Sequence, residues 1–447
     1  MSRQRPYRIG TGAGFSSDRL DPAIDLVKRG RLDAIVFECV GERTLAYGHR
    51  DRLADPSAGY NRLLETRLRA ILPLCRAHGT RLITNMGVAN PQGAAEAALR
   101  VASELDLDGL RIAVITGDDV SSHITCDTHL LEPDCSVAET GRRPIGANAY
   151  LGADAIAPAL QAGADLIITG RVADPALFLA PIAHHFDWAN DDWPILGAGT
   201  LVGHLMECAA QVTGGYFADP GYKDVSNLAF VGFPLAEVDA TGSAVITKLP
   251  ATGGCVDNRT VKEQMLYEVH DPAAYLTPDV TADFSGVHVI PDGEDRVRVS
   301  GAHGRERPDQ LKVTVAFDGG YLAEAEVSYA GAGAAERARV AGQIVEERLA
   351  TVHGIDASCR ADLIGLNALH GSTVTEPEDL RDIRLRIALR SGDRQDAETV
   401  LWEVEALLCC GPAGGGGYRG RVDHSVLTYS TFLPRNTVQP SFDILNV

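Results

Sequence analysis

Lysine is scarce in this chain of 447 residues: only five of its 41 basic residues are lysines. Nearly every cationic contact must therefore come from arginine, whose planar guanidinium suits carboxylate and phosphate. No apolar run reaches the length of a membrane span, and the opening "MSRQRPYRIG" lacks the apolar core of a signal peptide. The nine cysteines are an odd number at scattered spacings with no CxxC pair, which points to reduced thiols in a cytoplasmic protein. GxSxG, HExxH and GxxxxGK[ST] are missing, so the sequence offers no nucleophile elbow, zinc-protease helix or P-loop. The net charge of -19 speaks against a nucleic-acid binder, whose affinity rests on neutralising phosphates. What is present is ordinary for a globular protein, with 45% hydrophobic and 23% charged residues.

The first half alternates strand and helix patterns. Short Ile- and Val-rich runs predict strands over Tyr7 to Gly10, Leu32 to Cys39, Arg81 to Asn85, Leu110 to Thr116 and Asp165 to Thr169. Amphipathic stretches such as "RLLETRLRAILPLCRAHG" and "QGAAEAALRVASELDLDG" lie between them, each closing on a glycine suited to a helix C-terminus. The expected fold class is α/β, with an N-terminal, mostly parallel sheet and flanking helices. Too few strands are present for a barrel, so an open sheet is expected. After about Phe230 the pattern changes to antiparallel hairpins, read in "FPLAEVDATGSAVITKL", "HVIPDGEDRVRVSG" and "LKVTVAFDGGYLAEAEVSYAG". Helices follow in "AAERARVAGQIVEERLATVHG" and "DAETVLWEVEALLCCG", with a strand at "IRLRIALRSG" between them. This predicts an α/β ligand-binding domain over residues 1–225 and an α+β domain with an antiparallel sheet over residues 226–447.

The stretch "RIGTGAGFSSDRLDPAIDL" has Gly10, Gly12 and Gly14 after an apolar run. A dinucleotide fingerprint needs GxGxxG between strand and helix, yet Phe15 occupies the third glycine position. Asp21 and Pro22 read as an N-cap and first helical residue, so the helix also starts too late for a fingerprint. The loops "GFSSDRLDP", "NMGVANP" and "GRVADP" all follow predicted strands and end in Asp-Pro or Asn-Pro. Helix-start chemistry explains the endings alone. The polar residues before them, Asp18, Arg19, Asn85, Asn90, Arg171 and Asp174, point further, because such loops converge at the carboxyl edge of an open sheet. Helix N-termini and arginines there favour a carboxylate, phosphate or CoA-like ligand.

Other groups have two readings each. In "FECVGERTL", Glu38 and Glu42 are either acid–base carboxyls or, with Arg43, a helix-start pair. Asp118 and Asp119 either hold a divalent cation or are solvated, capping acids. The residues His123, Cys126, Asp127, His129 and Cys135 match no established zinc spacing, and a surface excursion is the simpler reading. Glycine-rich "QVTGGYFADPG", with Gly214 and Gly215, "PATGGCVDN" and "CCGPAGGGGYRG" either cradle an anion or make tight turns. Cys255, with no histidine nearby in sequence, reads as a structural thiol.

Together these segments, above all "GTGAGFSSDRLDPAIDLVKRGRLDAIVFECVGERTL", "ITNMGVANP", "GANAYLGADAIAPALQAGADLIITGRVADPALFLAPI", "QVTGGYFADP" and "ATGGCVDNRTVKEQMLYEVHDPAAYLTPDVTADF", resemble the acyclic terpene utilisation AtuA-like family. The resemblance implies a soluble catabolic enzyme acting on a small branched carboxylic acid or its CoA thioester, and the reaction expected of it is water addition or elimination at a carbon–carbon double bond, a lyase of the hydratase or dehydratase type. It also implies a partner, because longer relatives continue into a small α/β domain of about a hundred residues; a separate small subunit is expected here. In that reading Arg19 and Arg171 bind the anionic end, and Asn85 and Asn148 orient it. Glu42 or Glu38 moves the proton, and Asp174 positions Arg171 or a water. Gly12, Gly14, Asp18, Asn90, Gly214 and Gly215 complete the binding wall, and no cofactor is required. Replacing Arg171 with Ala is expected to abolish ligand binding and spare the fold. Two alternatives stay open: an NAD(P)-dependent oxidoreductase using the partial glycine fingerprint, and a non-catalytic scaffold subunit of an acyl-CoA enzyme.

Overall fold

The computed structural model describes residues 5–355, 359–371 and 382–447, so the first four residues of the opening segment lie outside it. The chain forms two compact units, residues 1–317 with 428–447, and residues 318–427.

In the first unit the short apolar runs pair as parallel strands: Tyr7–Ala13, Ala34–Phe37, Arg81–Thr84, Leu166–Thr169 and Arg111–Thr116, in that order across the sheet. Every residue of "AIVF" and "LIIT" is buried, as expected for strands covered on both faces. The helices Asp21–Arg29, Leu64–His78 and Pro91–Glu104 pack in one apolar cluster with this sheet through Leu26, Leu68, Leu72, Ala98 and Val101. Leu64–His78 closes on Gly79 in the left-handed region as the sequence suggests, whereas Pro91–Glu104 stops at Leu105, short of Gly109. The sheet is open and, among the described residues, has ten strands.

Two of the expected hairpins are present, Pro234–Val238 with Ala244–Lys248 and His288–Pro291 with Arg296–Ser300. They add antiparallel strands beside Tyr7–Ala13 in the same sheet, while Ser441–Asn446 pairs antiparallel with Arg111–Thr116 at the other edge. The change of pattern near residue 225 thus marks a change of strand direction within one sheet, and the compact units divide at Phe317 and Thr428. The third expected hairpin is instead one strand, Gln310–Ala330, because Gly319 and Gly320 continue it rather than reverse it. Its residues 313–317 pair with Pro144–Ala149, and this ladder sets Lys312 against Tyr150, whose amide donates to the Lys312 carbonyl at 2.9 Å.

The second unit runs strand–helix–strand–strand–helix–strand: residues 318–330, helix Ala334–Thr351, Cys359–Ile364, Asp382–Ser391, helix Arg394–Cys410 and residues 416–427. The sheet order, with Asp382–Ser391 and Cys359–Ile364 on one side of the first strand and the last strand on the other, is a split β-α-β pattern. Alternate residues Ala323, Ala325, Val327 and Ile383, Leu385, Ile387 bury against Ala338, Val345, Val400 and Val404 of its helices.

Candidate functional site

The carboxyl ends of the parallel strands carry a run of buried polar residues. Glu38 follows Ala34–Phe37, Asn85 follows Arg81–Thr84, Asp118 follows Arg111–Thr116, and Arg171 follows Leu166–Thr169. Beside them opens a cavity of about 400 Å³ in the first unit, with Glu42, Tyr150, Arg171, Asp174, Glu207, Glu268 and Lys312 among its lining residues. Leu276, Pro278, Pro308, Leu311 and Phe432 are among its apolar lining residues.

Arg171 is the hub, at 2% exposure. Its guanidinium donates to the Val40 carbonyl and, at 2.7 Å, to Asp174, and its carbon sits 3.9 Å from the centroid of the Tyr150 ring. Its amide donates to Asp118 at 2.7 Å. Burial works against its charge, but Asp174, Tyr150, Glu38 and Glu42 hold it protonated above its ordinary range. Both terminal nitrogens are therefore committed inside the protein, so Arg171 is a fixed cation that orients Asp174 rather than a free grip on an anion.

The carboxyls divide by environment. Burial alone would raise Glu42, yet the Tyr150 hydroxyl at 2.6 Å, Lys312 at 3.0 Å and nearby Arg171 bring it down to about 2. Asp174 is raised, chiefly by burial against the pull of Arg171, with Glu42 adding to the rise. Glu38, whose carboxylate accepts from the Val40 amide at 2.8 Å and from Asn85 at 2.9 Å, is pushed up to about 8 by burial and the Asp174 charge. Burial likewise lifts Asp118 to about 6.

The structure brings Glu42, Arg171 and Asp174 to the cavity and sets the other predicted residues around it in supporting positions. Glu38 and Asn85 are hydrogen-bonded to each other, and the Asn85 side-chain oxygen Oδ1 accepts from the Cys39 amide at 2.7 Å. Asn148 bridges His49 and Asp118, at 2.5 and 2.8 Å, and does not line the cavity. Asn90 caps its helix, accepting from the Gly93 amide at 3.1 Å. Asp18 accepts from the amides of Gly14 and Arg19, while the Arg19 side chain donates to the Leu228 and Ala229 carbonyls, away from this cavity. Asp174 does not cap the helix that follows it, Ala176–Phe186, because its carboxylate is taken by Arg171. Asp21 is likewise the first helical residue rather than the cap, which falls on Leu20.

The glycines have packing roles. Gly10 and Gly12 lie inside the Tyr7–Ala13 strand, where a Cβ on Gly12 would meet the Phe37 ring at 2.3 Å. Glycines inside a strand cannot form the turn a dinucleotide fingerprint requires, which removes the basis for the oxidoreductase alternative. At Gly14 an added Cβ would fall 2.5 Å from the Cys208 carbonyl carbon. Gly214 has a φ of +103°, and the Gly215 amide donates to the Ala210 carbonyl at 2.7 Å, so both build a turn.

Asp119 caps Ser121, apart from the buried Asp118, and no group of three or more metal-ligating side chains is found among the described residues. The segment with His123, Cys126, Asp127, His129 and Cys135 is an irregular, largely exposed excursion with a two-residue strand pair. Burial raises the Cys255 thiol, the opposite of nucleophile activation. No helix among the described residues is long and apolar enough to cross a membrane.

Most of the cavity lining is not legible in the sequence, including Tyr150, Lys312, Glu207 and Glu268. Lys312 comes from a strand 270 residues beyond Glu42, and no local spacing links them. Glu207 ends the apolar helix Trp193–Glu207, where His204 and Glu207 stand as buried polar residues three positions apart; that was the available signal.

A family model described as acyclic terpene utilisation family protein AtuA matches residues 7–444. None of the curated proteins matches the chain. Among solved structures, the de novo designed protein Ferredog-Diesel is 15% identical, with 23% of this chain and 85% of that one covered at a TM-score of 0.16. A chain from methicillin-resistant Staphylococcus aureus, titled as an aminohydrolase, is 12% identical, with 52% and 49% covered at a TM-score of 0.16. Neither likeness is close enough to inform function.

Proposed function

The chain belongs to the acyclic terpene utilisation AtuA family, and on that premise we propose that it is an acid–base lyase adding water to, or eliminating it from, a small branched acyl group carried as a CoA thioester. The observation that carries this reading is the pair of carboxyls of opposite poise on one cavity. Glu42 is held ionised at about 2, and Asp174, raised by burial, is the stronger base. Environments that push two carboxyls apart are how one site obtains distinct proton-transfer roles.

In this reading Asp174, oriented by Arg171, takes the proton α to the thioester carbonyl. Charge then develops on the carbonyl oxygen, and Lys312, whose ammonium is 3.0 Å from Glu42 at the cavity wall, supplies the cation. Glu42 and Tyr150 fix that ammonium rather than react. The apolar lining residues Leu276, Leu311 and Phe432 suit a branched hydrocarbon chain.

The test uses the chain isolated from its own host under mild conditions, so that a small partner subunit comes with it; native mass spectrometry of the same sample detects that subunit. The preparation is incubated with methyl-branched enoyl-CoA and 3-hydroxyacyl-CoA thioesters, and with the free acids, in ¹⁸O water. Incorporation into the thioesters, cut by about 10²-fold or more in Asp174→Asn, is expected. No incorporation into any of these compounds would refute the assignment, and incorporation into the free acids alone would replace the thioester.

A further inference from the structure

The helix Trp193–Glu207 is buried almost throughout, yet it carries Thr200, His204 and Glu207 at spacings of four and three, which share one face. His204 is 1% and Glu207 7% exposed. The His204 Nδ1 lies 3.0 Å from Glu207 Oε1, and the other carboxyl oxygen, Oε2, is buried with no hydrogen-bond partner. Buried polar atoms without a partner are uncommon inside proteins, and a catalytic role is one of the reasons for which a fold retains them. Glu207 lines the same cavity as Asp174 and Arg171. The imidazole cannot swing away: it is enclosed by Tyr275, with ring centroids 5.1 Å apart, and Phe284, stacked at 5.8 Å.

We infer that Glu207, oriented by His204, is a second catalytic carboxyl of this cavity, the acid that protonates the departing hydroxyl while Asp174 serves as the base. The inference rests on the lyase reading above. The α C–H bond breaks, with its proton going to Asp174 and its electron pair to the enolate. That pair then forms the carbon–carbon double bond as the β C–O bond breaks. The leaving oxygen keeps the C–O pair, takes the Glu207 proton and departs as water. One negative charge has moved from Asp174 to Glu207, where a proton on the His204 Nδ1 stabilises it, and proton exchange with solvent resets both groups.

The electrostatics agree with this division. Burial, together with the charges of Asp174 and Glu268, raises Glu207 well above the ordinary carboxyl range, and burial brings His204 down to about 4. Both shifts favour the uncharged forms, and a protonated Glu207 is the form that can donate. His204 is a positioning residue, since it touches Glu207 and does not line the cavity.

Two readouts on the intact preparation separate the roles. Exchange of the α-hydrogen of the thioester with deuterium from solvent needs the base alone, whereas ¹⁸O exchange of the hydroxyl also needs the acid. Glu207→Gln should keep α-exchange within about threefold and lose ¹⁸O exchange by about 10²-fold or more. Asp174→Asn should lose both. His204→Gln should move the alkaline limb of the ¹⁸O-exchange pH profile and leave the α-exchange profile in place. Equal loss of both exchanges in Glu207→Gln, or loss of neither, with an active wild type, overturns the role of Glu207 alone. A wild type without exchange overturns the lyase reading and this inference with it. A thermal melt of each variant identifies misfolding; should Glu207→Gln fail to fold, Glu207→Asp, which withdraws the carboxyl by one methylene, is expected to give the same split.

Discussion

Tyr150 serves Arg171 and Glu42 at once: its ring face carries the guanidinium, 3.9 Å from ring centroid to guanidinium carbon, while its hydroxyl donates to Glu42 at 2.6 Å. The two functions are separable by substitution. Tyr150→Phe keeps the stack and removes the donor, so the Glu42 carboxyl should titrate about one to two pH units higher, the equivalent of losing a hydrogen bond to a charged group. Carboxyl NMR titration measures this, and an unmoved Glu42 would show that Lys312 and Arg171 alone depress it. Tyr150→Leu should lose about a further 0.5–2 kcal/mol of stability with the cation–π contact.

Arg171 is expected to matter for folding as much as for chemistry. Removing a buried cation leaves Asp174 and Glu38 facing each other without compensation, which costs about 3–5 kcal/mol for a broken buried pair. The expectation from the sequence, that Arg171→Ala spares the fold, is thereby revised on the ground of its burial. Urea unfolding of Arg171→Met should show a larger loss at pH 8 than at pH 5, since both carboxyls are raised in the fold and their mutual repulsion grows as they ionise. A loss independent of pH would mean that the stack on Tyr150, not the charge, is what Arg171 supplies.

Glu38 should make stability fall with rising pH. Its carboxyl is lifted from 4.5 to about 8 in the fold, so the unfolded chain releases this proton first. The contribution is fully present below the ordinary carboxyl range and is lost as pH climbs toward the folded value. Glu38→Gln preserves an acceptor for the Val40 amide and cannot ionise. Its stability relative to wild type should therefore rise between pH 5 and pH 8, by up to a few kcal/mol. Denaturant midpoints across that window decide it; parallel curves for the two proteins would refute the burial-driven shift.

Gly14→Ala tests whether the opening glycine stretch is packing or ligand wall. An added methyl would sit 2.5 Å from the Cys208 carbonyl carbon and 2.7 Å from the Ala209 nitrogen, and backbone cannot yield as a side chain can. Destabilisation of about 1–3 kcal/mol is expected, seen as a lower melting temperature. An unchanged melting temperature with weakened substrate binding would return the glycine to the ligand wall.

Much of the layout is legible in the residues. The apolar runs at Ala34–Phe37 and Leu166–Thr169 form the parallel strands they suggest, since a strand buried on both faces has no alternative to a continuous apolar stretch. Asn90 before Pro91 is a cap because that pairing is helix-start chemistry wherever it occurs. Glu42, Arg171 and Asp174 line one cavity because residues just beyond parallel strands meet at one sheet edge.

Other features are decided only by the tertiary structure. Gly10 and Gly12 look like a turn in sequence and are strand, because Leu32 and Phe37 fill the space that side chains would need. Gln310–Ala330 looks like a hairpin and is one strand, because separate partners, Pro144–Ala149 and Asp382–Ser391, hold its two halves. Lys312, Tyr150 and Glu207 join Glu42 and Asp174 through contacts spanning most of the chain. Local sequence determines backbone preference and which face is apolar, since those depend on neighbours a few residues away. The protonation of Glu42, Asp174 and Glu207 depends on burial and on charges brought in from distant segments, which exist only once the chain has folded.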